Sequence, residues 1–182
     1  MDRKQLIELI RKHVKEENLV KHMIAVEFIM RALAEHFGED AEKWGTAGLV
    51  HDIDLDKTRK MPKKHGIVGA EMLKELGFAD DIVYAVKVHN PVHNLPRKSL
   101  LDKALYSADP MSGLIVACAL VKGKKLANVD SKFVLKRFKE KRFASGANRE
   151  QIASCSEMGL TLEEFVNISL NALKNHAKEL GL

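Results

Sequence analysis

The chain has 182 residues, 46% of them hydrophobic and 30% charged, and its net charge is +5. This balance is typical of one soluble globular domain and excludes a disordered or fibrous protein. The charged N-terminal sequence MDRKQLIELI lacks the pattern of a signal peptide, and the longest apolar run, GLIVACALV at residues 113–121, is too short to span a bilayer. Cys118 and Cys155 have no metal-binding spacing. We therefore expect two reduced core thiols in a cytoplasmic protein with no membrane contact.

Hydrophobic residues recur at helical spacing along most of the chain, and no segment alternates persistently with a period of two. The spacing predicts helices over residues 2–17, 19–37, 40–50, 65–76, 80–89, 99–121, 130–141, 148–157 and 161–180. Residues 53–64 should form a polar loop, Gly38 and Gly77 mark two helix ends, and Pro110 should kink or break its helix. The sequence therefore predicts an all-α fold, a helical bundle of about eight or nine helices in a single domain over residues 1–182.

Residues 122–142 form a basic block, with nine Lys or Arg against two Asp or Glu. Such a block could bind a phosphate-rich ligand, but a solvated helix face has the same composition. Phe133, Phe138 and Phe143 follow a five-residue step that helical core packing explains, and the regular aromatic interleaving of a nucleic-acid surface is missing. Nucleic acid is therefore a candidate partner that the sequence does not favour.

The eight histidines fall into two groups. Three are expected on charged, exposed helix faces: His13, His36 and His176. Five lie near helix ends or among apolar neighbours, and two aspartates lie at similar breaks; these residues are His22, His51, His65, His89, His93, Asp52 and Asp109. A single histidine of this kind is usually a hydrogen-bonded core residue, but several at consecutive helix ends predict a metal site. Imidazoles and carboxylates without thiolates suit Mn, Fe, Co, Ni, Zn or Mg.

His51 and Asp52 stand side by side in the sequence GLVHDIDLDK. Adjacent residues on a regular helix point about 100° apart, so these two side chains can share one ion only if the helix ends there and the backbone turns. The polar residues that follow the pair predict such an ending.

The candidate ligands stand in a definite order: a helical His, an adjacent His-Asp pair, two further His and a distant Asp, which are His22, His51, Asp52, His65, His89 and Asp109. This order resembles the HD-domain superfamily of metal-dependent phosphohydrolases. The two histidines after the pair make it most similar to the small stand-alone branch called HDIG. The resemblance covers about residues 19–121, and a C-terminal helical extension at about 122–182 carries no comparable signature.

The resemblance implies a role for each of these side chains. A primary metal site would consist of His22, His51, Asp52 and Asp109, and a second ion would be held by Asp52, His65 and His89. His51 and Asp52 would form the catalytic centre, with one or two divalent ions as the cofactor. His93 is a further candidate ligand, although Pro91 interrupts the helical spacing between it and His89.

The chain departs from the HDIG pattern at two positions. The glycine usual in that branch is replaced by Asp54, and a lysine that often follows it, and can contact substrate phosphate, is replaced by Leu55. Asp54 and Asp56 are either carboxylates that orient ligand histidines or parts of a solvated acidic loop. Other basic residues near the predicted ligands are candidates for binding substrate phosphate: Lys57, Arg59, Lys63, Lys64, Arg97, Lys98 and Lys103.

The implied function is hydrolysis of a phosphate ester by metal-activated water, with a nucleotide or another small phosphorylated metabolite as substrate. Two alternatives remain open. The same ligands could hold two irons in an oxygenase, or the metal could belong to a non-catalytic regulatory module whose basic block binds nucleic acid. The sequence identifies no general acid, and the metal, the number of ions and the oligomeric state do not follow from it.

Overall fold

The computed structural model describes all 182 residues, which form helices joined by turns without any β-strand. Eleven α-helices follow one another: α1 (Arg3–His13), α2 (Glu17–Phe37), α3 (Ala41–Val50), α4 (Leu55–Thr58), α5 (Ile67–Glu75), α6 (Asp80–Val88), α7 (Leu100–Val121), α8 (Ser131–Lys139), α9 (Arg149–Ala153), α10 (Leu162–Asn175) and α11 (Ala177–Leu180). The all-α prediction is confirmed. The count exceeds the expected eight or nine because α4 interrupts the predicted polar loop and the last predicted helix is divided at His176.

Local sequence explains where several helices begin and end, and therefore where the histidines at their ends lie. Helices α1, α7 and α10 begin with capping boxes. In this motif a side chain just before the helix and one in its first turn each accept a hydrogen bond from a backbone N–H group that has no partner within the helix. The pairs are Asp2 with Gln5, Ser99 with Asp102 and Thr161 with Glu164. Asp40 accepts a hydrogen bond from the N–H of Lys43 at the start of α3. Gly38 ends α2 with a left-handed φ of 71°, as its position in the sequence predicts.

The sequence predicts that Pro110 kinks its helix or breaks it, and the structure excludes the break, because α7 runs without interruption from Leu100 to Val121. A proline inside a helix has no N–H to donate to the carbonyl four residues earlier, which here belongs to Tyr106. The side-chain amide of Gln151 donates to that carbonyl instead, at 3.3 Å. A residue 41 positions after the proline thus supplies the missing hydrogen bond, and no local pattern around Pro110 reveals it.

Helix α7 is also more apolar than the run at residues 113–121 suggests. By length and composition it is the one helix of the protein that could cross a membrane, but 61% of its apolar window is buried against the rest of the protein. It contacts α2, α6, α8, α9 and α10. Such contacts on several sides are typical of the central helix of a helical bundle.

The protein interior is one hydrophobic cluster of 44 buried residues, which extends from Leu6 in α1 to Leu180 in α11. Cys118 and Cys155 are buried and free, as predicted, and burial raises the pKa of the Cys118 thiol to about 11. The most extensive helix–helix packing is between α2 and α3. At their crossing Gly48 faces the backbone of Glu27, because a Cβ built on Gly48 would lie 2.9 Å from the Glu27 Cα and N atoms.

The change Gly48→Ala should therefore destabilise the protein. The added methyl group would meet backbone atoms that cannot move aside cheaply, so we expect a loss of about 1 to 3 kcal/mol in the free energy of unfolding. Urea denaturation followed by circular dichroism measures this loss. The matched control is Gly113→Ala in α7, where a Cβ meets no atom within 4 Å. That variant should be more stable than the natural chain by about 0.5 to 1 kcal/mol, and equal stability of the two variants would contradict the prediction.

Candidate metal centre

The His51–Asp52 pair lies where α3 ends. The last residue of α3 is Val50, and the chain continues in tighter turns, with the N–H of Ile53 bonded to the Val50 carbonyl at 3.1 Å and the N–H of Leu55 bonded to the Asp52 carbonyl at 3.0 Å. Both side chains consequently reach the same space, and the His51 Nε2 atom lies 3.3 Å from Asp52 Oδ2. This is the ending that the sequence predicts for the two residues.

Six of the predicted ligands converge on one cluster, although they come from five separate parts of the chain. His22 comes from α2, the His51–Asp52 pair from the end of α3, His65 from just before α5, His89 from the end of α6 and Asp109 from the middle of α7. The longest sequence separation is bridged by His22 Nε2 and Asp109 Oδ1, which lie 3.1 Å apart. We name these six residues the HD cluster.

Asp52 lies at the centre of the HD cluster and uses its two oxygens in different directions. Oδ2 faces the Nε2 atoms of His51 at 3.3 Å and His22 at 3.7 Å. Oδ1 faces the Nε2 atoms of His65 at 3.2 Å and His89 at 3.5 Å. Ligand atoms within 4.8 Å of one another form two groups, His22 with His51 and Asp109, and His51 with Asp52 and His89. The two groups have His51 in common, and Asp52 faces imidazoles on both sides of the cluster, so the geometry is compatible with one or two ions.

Each imidazole of the HD cluster is oriented by a hydrogen bond from its outer nitrogen. The Nδ1–H groups of His51 and His89 donate to the carbonyls of Gly48 and Val86, at 2.8 and 2.6 Å. The Nδ1 atom of His22 lies 3.0 Å from the Ser112 hydroxyl, whose own proton is donated to a backbone carbonyl. These bonds leave the Nε2 lone pairs directed into the cluster, which is the arrangement that metal-binding histidines require.

The donor atoms of the HD cluster fit a divalent cation. His51 Nε2 is fully buried and has no hydrogen-bond partner, although buried polar atoms are almost always satisfied. The Nε2 atoms of His65 and His89 lie 3.1 Å apart, so a proton or another positive charge must stand between them. Four imidazole nitrogens and two carboxylates, without a thiolate, form a set that suits the ions named above.

Electrostatics also favour positive charge in the cluster. Burial alone would raise the pKa of Asp52, but the histidines around it outweigh burial and hold that pKa well below its usual range. Burial lowers the pKa of His51 and of His65, and the neighbouring aspartates outweigh it and raise these pKa values to about 9 and about 10. Protons thus balance the carboxylates when no metal is bound, and a divalent ion would replace them.

Comparison with known proteins identifies the family. The family model described as "HD domain" matches residues 19–114, more than half of the chain and all six residues of the HD cluster. The chain belongs to the HD-domain family. The resemblance noted in the sequence is therefore confirmed, and it places the chain in a superfamily of metal-dependent phosphohydrolases.

Curated relatives of this HD domain include proteins named Ribonuclease Y. The relative from Desulfotalea psychrophila is 33% identical over 97 residues, and those from Oleidesulfovibrio alaskensis and Nitratidesulfovibrio vulgaris are each 30% identical over 97 residues. Each match covers 53% of this chain but only 18% of the relative. The chain therefore accounts for less than a fifth of the length of these relatives.

Asp54, which stands where HDIG sequences have glycine, is a fully buried support of the HD domain's site. Its Oδ1 atom lies 2.9 Å from Nδ1 of His65, and its Oδ2 atom accepts hydrogen bonds from the N–H groups of Gly66 and Gly69, both at 2.9 Å. Its φ is −97°, so this position does not require glycine. Asp56 instead accepts from the N–H of Lys15 and lies outside the HD cluster. Of the two aspartates that the sequence offered as carboxylates orienting a ligand histidine, only Asp54 contacts one.

His93 does not join the HD cluster. The turn that begins at Pro91 directs its ring to the backbone, where Nε2 donates to the carbonyl of His65 at 2.7 Å. Its interpretation as a candidate ligand is therefore corrected, and its contact supports the segment that carries His65. The three histidines predicted on other faces, His13, His36 and His176, also lie outside the cluster, with His13 half-buried and the other two exposed.

The seven basic residues proposed to bind substrate phosphate form no hydrogen bond or ion pair with the HD cluster. Three of them are already engaged. Arg97 pairs with Glu157 at 2.6 Å, and Lys103 donates to the Glu157 carbonyl. Arg59 pairs with Glu16. These contacts argue against a phosphate-binding role for these three. For the others, Lys57, Lys63, Lys64 and Lys98, that role stays a prediction.

The HD cluster opens to solvent beside His22 and Asp109, whose side chains are 24% and 27% exposed. A cavity of about 280 Å³ lies there, with Ala144 and Ala147 on its opposite wall. That wall is held by Arg149, whose guanidinium donates to the carbonyls of six residues between 137 and 147. The C-terminal extension, which carries no family signature, therefore builds one side of the entrance.

A second cavity of about 480 Å³ adjoins the first at His22 and is lined by two lysines, Lys21 and Lys124. Sequence reasoning did not single out either residue as a site residue. Lys21 could have been found, because it directly precedes a predicted ligand. Lys124 belongs to the basic block at residues 122–142, and only the fold shows that it lies near His22.

Proposed function

We propose that this HD domain hydrolyses a phosphate ester of a nucleotide-containing substrate. The observation that carries the proposal is the position of Asp52, whose two oxygens each face a different pair of imidazole Nε2 atoms. A divalent ion bound in such a cluster supplies Lewis-acid activation of a phosphoryl group and of water. The shared carboxylate supports a centre for one or two ions.

The residues of the chain have separate tasks in this proposal. His51 and His89 are buried and fixed by hydrogen bonds to backbone carbonyls, so they would hold an ion without reaching solvent. His22 and Asp109 are partly exposed and form the edge that a phosphoryl group would approach. Lys21, next to His22, offers a positive charge to the non-bridging oxygens of the substrate.

The relatives bear on the choice of substrate. A nucleotide or another small metabolite was the expectation from the sequence, and nucleic acid was not favoured. Relatives that are named ribonucleases support RNA as a substrate class of this chain, and they favour hydrolysis over the di-iron oxygenase alternative. We therefore propose a phosphodiester that contains ribonucleotides as the leading substrate.

The test is a metal-by-substrate screen with the purified chain. The protein is stripped of metal, reloaded in turn with Mn, Fe, Co, Ni, Zn or Mg, and incubated with p-nitrophenyl phosphate, bis(p-nitrophenyl) phosphate, nucleotides and short RNA. We expect metal-dependent hydrolysis, faster with diesters than with monoesters, and one or two bound ions per chain by mass spectrometry. The absence of hydrolysis with every metal, or turnover that requires both iron and oxygen, would refute the proposal.

A further inference from the structure

The larger cavity beside the metal centre has the features of a binding site. It lies between the start of α2 and the end of α7, and we name it the lysine cleft after Lys21 and Lys124; Val116, Leu120 and Leu180 form its apolar surface. Its volume of about 480 Å³ falls within the range of pockets that hold small ligands. The residues of the HD cluster, with the exception of His22, take no part in it.

Gly113 connects the lysine cleft to the cavity in front of Asp109. Both cavities are lined by Gly113 and His22. Glycine in the interior of a helix costs about 1 kcal/mol relative to alanine, so it usually has a packing reason. Here packing does not require it, since a Cβ would meet no atom within 4 Å, in contrast to Gly48. A side chain at position 113 would instead enter the junction of the two cavities. We infer that Gly113 keeps this passage open.

The chemistry of the lysine cleft indicates what it binds. Lys43 is the one lysine of the protein that forms a salt bridge, so no carboxylate lies within 4.0 Å of the Lys21 and Lys124 ammonium groups and both can attract an anion. Val116 and Leu120 provide an apolar surface next to them, and the Leu120 side chain is half exposed. A phosphate joined to a flat, weakly polar base meets both requirements, because the lysines attract the phosphate and the aliphatic side chains contact the base.

We propose that the lysine cleft binds the nucleotide adjacent to the scissile phosphate. The scissile phosphate would lie at the edge formed by His22 and Asp109, and the next nucleotide would pass Gly113 into the cleft. This inference rests on the proposed phosphodiesterase function and adds to it a preference for substrates longer than a single ester. Lys21, Lys124 and Gly113 are then determinants of specificity, while the HD cluster carries the chemistry.

The first experiment measures binding without turnover. A fluorescein-labelled RNA tetranucleotide is titrated with the full chain in EDTA and followed by fluorescence anisotropy. Gly113→Leu, which fills the passage, and Lys124→Ala, which removes a charge, should each raise the Kd about tenfold. Lys124→Ala should also reduce the salt dependence of binding by about 0.7 in the slope of log K against log salt. The control is Lys125→Ala, an exposed neighbouring lysine outside the cleft, which should stay within about twofold of the natural chain.

Two results would overturn the cleft proposal. One is that the natural chain does not bind the tetranucleotide at all. The other is that Gly113→Leu and Lys124→Ala bind it as tightly as Lys125→Ala does. Thermal denaturation of Gly113→Leu, with a Tm no lower than that of the natural chain, shows that a loss of binding is not a loss of fold.

The second experiment compares two substrates of the metal-loaded protein. In Lys124→Ala the KM for the RNA tetranucleotide should rise about tenfold more than the KM for bis(p-nitrophenyl) phosphate, which has no second phosphate group for Lys124 to contact. Equal losses for the two substrates would contradict the cleft. If no metal supports hydrolysis of either substrate, the phosphodiesterase function fails, while weakened RNA binding by both variants would still support the cleft. If both substrates are cleaved and the variants bind RNA normally, only the cleft proposal fails.

Discussion

Replacing Asp52 by alanine is expected to abolish hydrolysis and to strip bound metal from the protein. Asp52 is the one carboxylate that faces four imidazoles, with Nε2 atoms between 3.2 and 3.7 Å from its oxygens. Without it the cluster loses an oxygen donor on each of its two sides and the negative charge that would balance a cation. We expect a rate decrease of more than about a thousandfold, equivalent to about 4 kcal/mol of transition-state stabilisation. Initial rates and the metal content after gel filtration measure the two effects.

The matched control for Asp52→Ala is Asp56→Ala. Asp56 lies four positions later and is also an aspartate that follows α3, but its carboxylate contacts the Lys15 N–H and Arg59 instead of the HD cluster. Asp56→Ala should keep its metal and retain a rate within about twofold of the natural chain. If Asp52→Ala keeps full activity, or loses no more metal than Asp56→Ala, the assignment of the HD cluster as the metal centre is wrong.

Replacing Asp54 by alanine is expected to weaken both the fold and the ion position next to His65. The change removes the acceptor of His65 Nδ1 and leaves the N–H groups of Gly66 and Gly69 buried without partners. We expect a loss of about 2 to 4 kcal/mol in the free energy of unfolding. The loss of the carboxylate that orients a ligand should also weaken metal binding about 10-fold to 100-fold. Urea denaturation of the metal-free protein and competition with a chelating dye separate the two losses.

Asp40→Ala serves as the control for a change that affects stability alone. Asp40 caps the start of α3 through the N–H of Lys43, so its loss should cost about 1 kcal/mol and leave the metal affinity unchanged. Asp54→Asn should give intermediate losses of stability and metal affinity, because the amide keeps one oxygen acceptor but places an NH₂ group where a second acceptor is needed. Metal binding by Asp54→Ala equal to that of Asp40→Ala would show that Asp54 does not act on the ligand.

The HD cluster could be predicted from local sequence and from the order of its residues. His51, Asp52, His65 and His89 stand at helix ends, whereas His22 and Asp109 lie inside α2 and α7 and were indicated by an order that resembles the HD family. Helix periodicity gives the fold class for the same reason, since the apolar positions of each helix repeat within one segment. The sequence could therefore indicate which residues meet before it could indicate how they are arranged.

What could not be predicted depends on contacts between distant segments. Pro110 is accommodated because Gln151 donates to the Tyr106 carbonyl, and nothing near the proline signals this partner. Lys124 and His22 are far apart in the sequence and line the same cavity only because the turn after α7 lies next to the start of α2. The error on His93 has a local cause, because the turn after Pro91 directs that ring toward a backbone carbonyl, and one-dimensional spacing does not show the direction of a turn.

The support of Pro110 by Gln151 has a consequence for where the functional unit ends. The family match stops at residue 114, in the middle of α7, while Gln151 and the Arg149-held wall of the entrance lie beyond that border. Phe165, Leu170 and Leu173 of α10 belong to the same buried cluster as the helices of the match. A fragment excised at the border would lose part of its interior and one rim of its entrance. The residues after 114, which carry no family signature, therefore share one core with the HD segment and complete the surroundings of the HD cluster.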